Sequence, residues 1–196
     1  MRDTKKIVML ASLTAIVIVL QLLGAFIRFG PFSVSLVLMP IVIGSALLGV
    51  LAGGWLGLIF GIVVLATGDA NAFIAIDPFG AILIVLGKGV LAGLSAGIVY
   101  KLLSKLNKTI GTIAAAIICP VVNTGIFVLG MYVFFFATLT EWSVAADVVS
   151  ATAFLFLTMI GLNFFIELGL NTILSPVIVR LIHFGESKNY YSLSNE

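Results

Sequence analysis

The chain has 196 residues, 62% of them hydrophobic and only 9% charged, whereas a soluble domain is about 45–50% apolar and about 25% charged. Ten Lys/Arg and eight Asp/Glu cannot cover a water-facing surface without leaving large apolar patches, so the composition excludes a soluble globular domain and requires lipid around the chain. A net charge of +2 from scattered bases, with a single cysteine, Cys119, excludes a clustered nucleic-acid footprint, a disulfide framework and a Cys-based zinc site.

Long unbroken apolar runs predict an all-α integral membrane protein rather than a barrel of short alternating strands. The first run, 7–27, follows the basic Arg2, Lys5 and Lys6. It is of full span length, longer than the roughly 7–15 residues of a signal-peptide core, and no small-x-small cleavage site follows it, so a retained helix is predicted. The next run, 36–67, is too long for one upright helix: about 30 residues would reach about 45 Å against a hydrocarbon core of about 30 Å. Charge parity resolves it. Bases cluster at Arg2/Lys5/Lys6, at Lys101/Lys105/Lys108 and at Arg180/Lys188. If all three clusters face the cytoplasm, as short basic loops do, the run must be a hairpin of 36–48 and 49–67 that turns at Leu48-Gly49. Small residues from Gly44 to Gly57 let its two arms approach closely.

Further spans are predicted at 79–103, 110–138 and 151–182. The result is a six-helix transmembrane domain over 1–184, with both termini cytoplasmic and a short polar tail over 185–196. The opposite face then carries 28–35, 68–78 and 139–150, with Asp69, Asp77, Glu141 and Asp147 against one base, Arg28.

Ionisable groups inside a bilayer are costly and mark functional sites by default. Lys88 lies about ten residues into the fourth predicted span and Glu167 near the middle of the sixth. Two readings stand: the two charges pair with each other, or they face a polar cavity and hold a charged ligand. Asn123, Asn163 and Asn171, with Thr124 and Thr158, are also intramembrane. Such groups bond either a neighbouring helix or a ligand. Pro120 frees a backbone carbonyl one turn before itself and bends the helix beside Asn123. In the outer loops, Asp69 and Asn71, Asp77, and Arg28 between aromatic residues read either as lids over a site or as interfacial turns. Tyr132, Phe134, Phe135, Phe136 and Trp142 read as an aromatic belt ahead of a stacking pocket.

An enzyme is not expected. The one histidine, His183, lies at the inner end of the sixth span, which leaves no His-based metal cluster and no deep Ser-His dyad. There is no G-x-x-x-x-G-K-[ST] loop to hydrolyse ATP. No metal or cofactor is expected.

Two small-residue seams remain: Ala11, Ser12 and Ala15 on one face of the first helix, and Gly89, Ala92, Gly93, Ala96 and Gly97 on the fourth span. Small faces permit close packing, inside the bundle or against a partner. The pair Ala11/Ala15, the hairpin around Gly44 to Gly61, the run Leu86 to Gly97 with Tyr100 to Leu103, and the segment Asn171 to Arg180 together resemble the substrate-binding S component of energy-coupling factor (ECF) vitamin transporters, over nearly the whole chain. The resemblance implies a bacterial cell-membrane subunit that binds a vitamin near the outer face, under the loops after the first and third helices, and topples to release it. It implies a partner face at Ala11 and Ala15 for a transmembrane T component joined to two ATPases, with 28–35 and 68–78 as lids. The expected substrate-binding residues are Arg28, Asp69, Asn71, Asp77, Lys88, Asn123, Asn163 and Glu167. A cation such as Lys88 or Arg28 suits a carboxylate-bearing vitamin, pantothenate first, with folate, a pyrimidine precursor, riboflavin or a cobalamin open, because likeness of fold does not choose among ligands. The competing readings are a membrane scaffold of the MreD type, which binds partners and needs no pocket, and a stand-alone gradient-driven transporter.

Overall fold

The computed structural model describes residues 2–24, 28–29, 32–33 and 36–191, with the side chains of 2–3, 28–29, 32–33, 162–163, 175 and 181–191 left aside. Helix α1 (Arg2–Gly24) buries only the narrow stripe Leu13, Val17, Gln21 and Gly24, the i, i+4 spacing of one helix face, and leaves Ile7, Val8, Ile16, Val19, Leu22 and Leu23 exposed. Exposed side chains of that kind fit a peripheral helix bathed in lipid. A two-residue antiparallel pairing of β1 (Arg28–Phe29) with β2 (Phe32–Ser33) follows, with Arg28 opposite Ser33.

Helix α2 (Leu38–Leu48) has 11 residues, about 16 Å at 1.5 Å per residue, and falls well short of a bilayer core of about 30 Å. The chain then reverses at Gly49, whose φ of 101° is open to glycine at no steric cost. Helix α3 (Val50–Ala66) folds back on α2, so that Gly53 faces Ser45 and Gly44 faces Leu56. A four-residue helix, α4 (Asn71–Ile74), interrupts the loop that follows.

Helix α5 (Pro78–Leu103) starts where a sequence would start it. Asp77 accepts from the backbone N–H groups of Phe79 and Gly80, both at 3.1 Å, and Pro78 occupies the first turn, where its missing donor costs nothing. Asn107 caps α6 (Lys108–Phe134) in the same way, at 2.8 Å from Thr109 N and 3.2 Å from Ile110 N. Helix α6 stops at Phe135, and α7 (Phe136–Ala145) occupies much of the segment predicted as an outer loop. The final predicted span is broken: α8 (Ala151–Ala153) opens into a π-helical stretch, π1 (Phe154–Ile160), before α9 (Gly161–Tyr191). The axis bends by 42° between Ala151–Ile160 and Phe164–Leu174. Helix α9 continues to Tyr191 through most of the segment predicted as a polar tail.

Among the described residues, four helices are long and apolar enough to cross a membrane, and the bent pair makes a fifth when taken as one span. Where the sequence predicts six crossings, α2 is the difference: it is apolar but, at 11 residues, shorter than a full span.

Helices α3 and α5 meet backbone to backbone. A Cβ added to Gly57 would land on the carbonyl of Gly89, and one on Gly93 would land on the carbonyl of Gly53, with the reciprocal clashes present as well. Spaced four apart on each helix, Gly53/Gly57 and Gly89/Gly93 form one continuous strip, so the small-residue seam predicted on the fourth span is used inside the bundle. Two apolar clusters result. One runs through α1, α2, α3, α5, α6 and α9 and includes Leu38, Ile41, Leu56, Phe60, Ala92, Ala116 and Ile178. The other gathers Phe73, Ala81, Ile84, Met131, Phe135, Leu139, Leu155 and Met159 at the end where α4, α7 and π1 lie.

Candidate functional site

Between the two clusters is a cavity of about 100 Å³, where a single water needs roughly 10–15 Å³, so there is room for several waters or one small solute. Its walls come from elements far apart in sequence: Gln21 of α1, Phe60 and Val64 of α3, Asp69, Ala70 and Phe73 around α4, Val85 and Lys88 of α5, Asn123, Thr124 and Phe127 of α6, and Met159, Ile160, Phe164 and Glu167 across the π1–α9 break. Helix α5 delivers Lys88 from above the glycine seam, one residue before Gly89. The break after Ile160 is what turns Phe164 and Glu167 inward.

The polar groups form a connected set. Lys88 Nζ stands 5.6 Å from the Phe60 ring centroid and 5.5 Å from that of Phe127, in cation–π range of both. Its charge is also coupled to the carboxylates of Glu167 and Asp69. Asp69 accepts from Gln21 Nε2 at 3.3 Å and from Thr67 Oγ1 at 3.4 Å. Glu167 is buried, and its backbone carbonyl accepts from Asn171 Nδ2 at 2.9 Å. Three amide oxygens, Gln21 Oε1, Asn123 Oδ1 and Asn171 Oδ1, are buried with no hydrogen-bond partner among the described residues. Each such orphan costs about 1–3 kcal/mol, and two of the three belong to cavity-lining side chains. Aromatic residues close the space. The Phe73 ring packs edge-on against Phe127 at 6.3 Å and Phe135 at 5.2 Å, and tilted against Trp142 at 5.8 Å.

Of the residues named from sequence, Asp69, Lys88, Asn123 and Glu167 come together here, with Thr124 beside them. Asn71 and Asp77 do not line the cavity. Asn71 is exposed at the start of α4, and Asp77 uses its carboxylate to cap α5. The side chains of Arg28 and Asn163 lie outside the described residues. Ala11 and Ala15 are exposed on α1. The sequence reading missed Gln21, although a polar side chain near the end of an apolar run carries the same burial cost as Asn123. It also missed Phe60, Phe73, Phe127 and Phe164 as walls, since nothing local separates them from the other eleven phenylalanines of a chain that has 15.

A second hollow, an apolar groove of about 620 Å³, runs along the outside of the bundle between α6 and the π1–α9 break, and it shares Thr124, Ile160 and Phe164 with the cavity. Among the described residues no cluster of three or more His, Cys, Asp or Glu is placed to hold a metal ion.

The pattern of one protein family, described as ECF transporter, substrate-specific component, matches residues 5–179. Neither a curated protein nor a solved structure matches the chain.

Proposed function

We propose, since this chain belongs to the ECF transporter substrate-specific component family, that it captures a vitamin or related micronutrient with high affinity in the Lys88 cavity and passes it to an ATP-driven importer. The observation that carries this reading is the cavity itself: a cation, two carboxylates and two amides with unpartnered oxygens converge inside an apolar helical bundle. Intramembrane polar groups persist at such cost where they serve a ligand, and a scaffold that only binds partners has no use for them. The cavity volume supports a small solute over one of cobalamin size.

Hydrolysis of ATP falls to separate partner ATPases, reached through a transmembrane T component that docks on α1 at Ala11 and Ala15. Support for that face comes from its exposure and its small side chains. The loop segments 28–35 and 68–78 act as lids, and Arg28, Asn71 and Asp77 belong to the binding reading through that role, Asn163 as an intramembrane amide of the last span. Lys5, Lys101, Lys105 and Lys108 face the cytoplasm, as do both termini, while Asp69 and Asp77 face outward, an arrangement in which the short α2 and its hairpin partner α3 count as two crossings. The lysine excess at one end supports this orientation. A thiol reagent that cannot cross the membrane should then label Asn71→Cys in intact cells and leave Lys105→Cys unlabelled; the reverse pattern overturns the orientation.

Native mass spectrometry of the subunit purified from cells grown in rich medium tests the capture reading. The expected result is a co-purified adduct of vitamin size. A bare mass that stays unshifted by a panel of vitamins rejects it.

A further inference from the structure

We infer that the captured solute is amphipathic: its polar part sits beside Lys88 and Asn123 in the cavity, and an apolar limb passes Thr124 into the membrane-facing groove between α6 and the π1–α9 break. The inference rests on the capture reading and adds the chemical class of what is captured.

Three observations carry it. First, the two hollows adjoin, because Thr124, Ile160 and Phe164 line both. A solute anchored in the cavity meets the groove at once, with only the Thr124, Ile160 and Phe164 side chains between. Second, apart from Thr124 in the wall itself, the polar side chains lie on the cavity side only. On the cavity side stand Lys88 and the unpartnered Asn123 oxygen. On the groove side the lining adds Val121, Val128, Leu129, Phe156 and Phe165, four of which are exposed on the outer face. Such a surface offers nothing to a polar group and matches a hydrocarbon or ring substituent.

Third, Gly125 lies on the groove and has nothing within 4 Å of where its Cβ would be. A mid-helix glycine costs about 1 kcal/mol relative to alanine, and at Gly53, Gly57, Gly89 and Gly93 close backbone packing accounts for it. No packing accounts for Gly125, nor for the helical Gly87 and Gly169; of the three, Gly125 alone lines the groove. Its missing side chain leaves the groove its width.

A fully polar vitamin such as pantothenate would leave the groove unused. The test is native mass spectrometry of wild-type protein, Gly125→Ala and Gly125→Leu, each incubated with the small-molecule fraction of yeast extract, alongside their melting temperatures. Expected is a small-molecule adduct on the wild type that carries a hydrocarbon or aromatic limb. Its occupancy should survive in Gly125→Ala and fall at least tenfold in Gly125→Leu, while both variants melt close to wild type. If Gly125→Leu fails to fold, Thr124→Leu, which narrows the passage from a position already in the wall, takes its place with the same expectation. An adduct with no apolar limb, or one held equally by all variants, overturns the inference and leaves the capture reading standing. So does a phospholipid mass that alone responds to Gly125→Leu, since the groove then holds an acyl chain. No adduct on any form overturns both.

Discussion

Lys88 and Glu167 can be told apart as ligand contacts or mutual partners by removing both charges. Lys88→Met alone leaves two coupled carboxylates without their cation, so lost binding in that variant mixes folding with recognition. Lys88→Met with Glu167→Leu removes the mutual interaction. If the pair contacts the solute, the double variant should fold and bind at least tenfold more weakly by isothermal titration with the solute identified by mass spectrometry; wild-type affinity would reject both as ligand contacts. These two residues, with Asn123, were legible in the sequence because an ionisable or amide group in an apolar run has few inexpensive explanations, and Asp69 was legible as a carboxylate in an outer loop read as a lid or an interfacial turn. Asp77 shows where that reasoning overreaches. At a helix start a carboxylate has a cheaper use, accepting from Phe79 and Gly80, and the Pro78 that follows it was the available signal. Phenylalanine walls were illegible for the opposite reason, since a ring facing lipid and a ring facing a cavity have the same neighbours in sequence.

Among elements, the α3–α5 contact carries the sharpest expectation. Gly93→Leu would drive a side chain into the Gly53 backbone, where no rotamer can relieve it, and overpacking of this kind costs about 1–3 kcal/mol or more. The variant should melt well below wild type in detergent, whereas Gly87→Leu on the same helix, where a Cβ meets nothing within 4 Å, should not. Equal melting of the two would show that the strip does not bind the helices. The hairpin turn at Gly49 could be read from span length and charge parity, two global constraints that need no detail. Helices α4 and α7 could not, because a four-residue turn and an aromatic-rich interfacial stretch look like loop. Nor could the break between π1 and α9, as 151–182 is one apolar run with Gly161 as the only interruption near the bend.

At the scale of the molecule, the exposed face of α1 carries the coupling proposal. Ala11→Trp and Ala15→Trp add bulk where nothing in the bundle is displaced. They should abolish solute uptake by cells while leaving binding to the isolated subunit unchanged; undiminished uptake rejects α1 as the docking face. The glycine strip has a consequence for any such cycle. Two helices locked main chain to main chain have no give, so α3 and α5 act as the fixed jaw of a vice. The side built from α9 and the π-helical stretch has no such lock, and its hydrogen bonds are already out of α-helical register. A separation of that side from the jaw would widen the cavity and the outer groove in one stroke, since Ile160 and Phe164 line both.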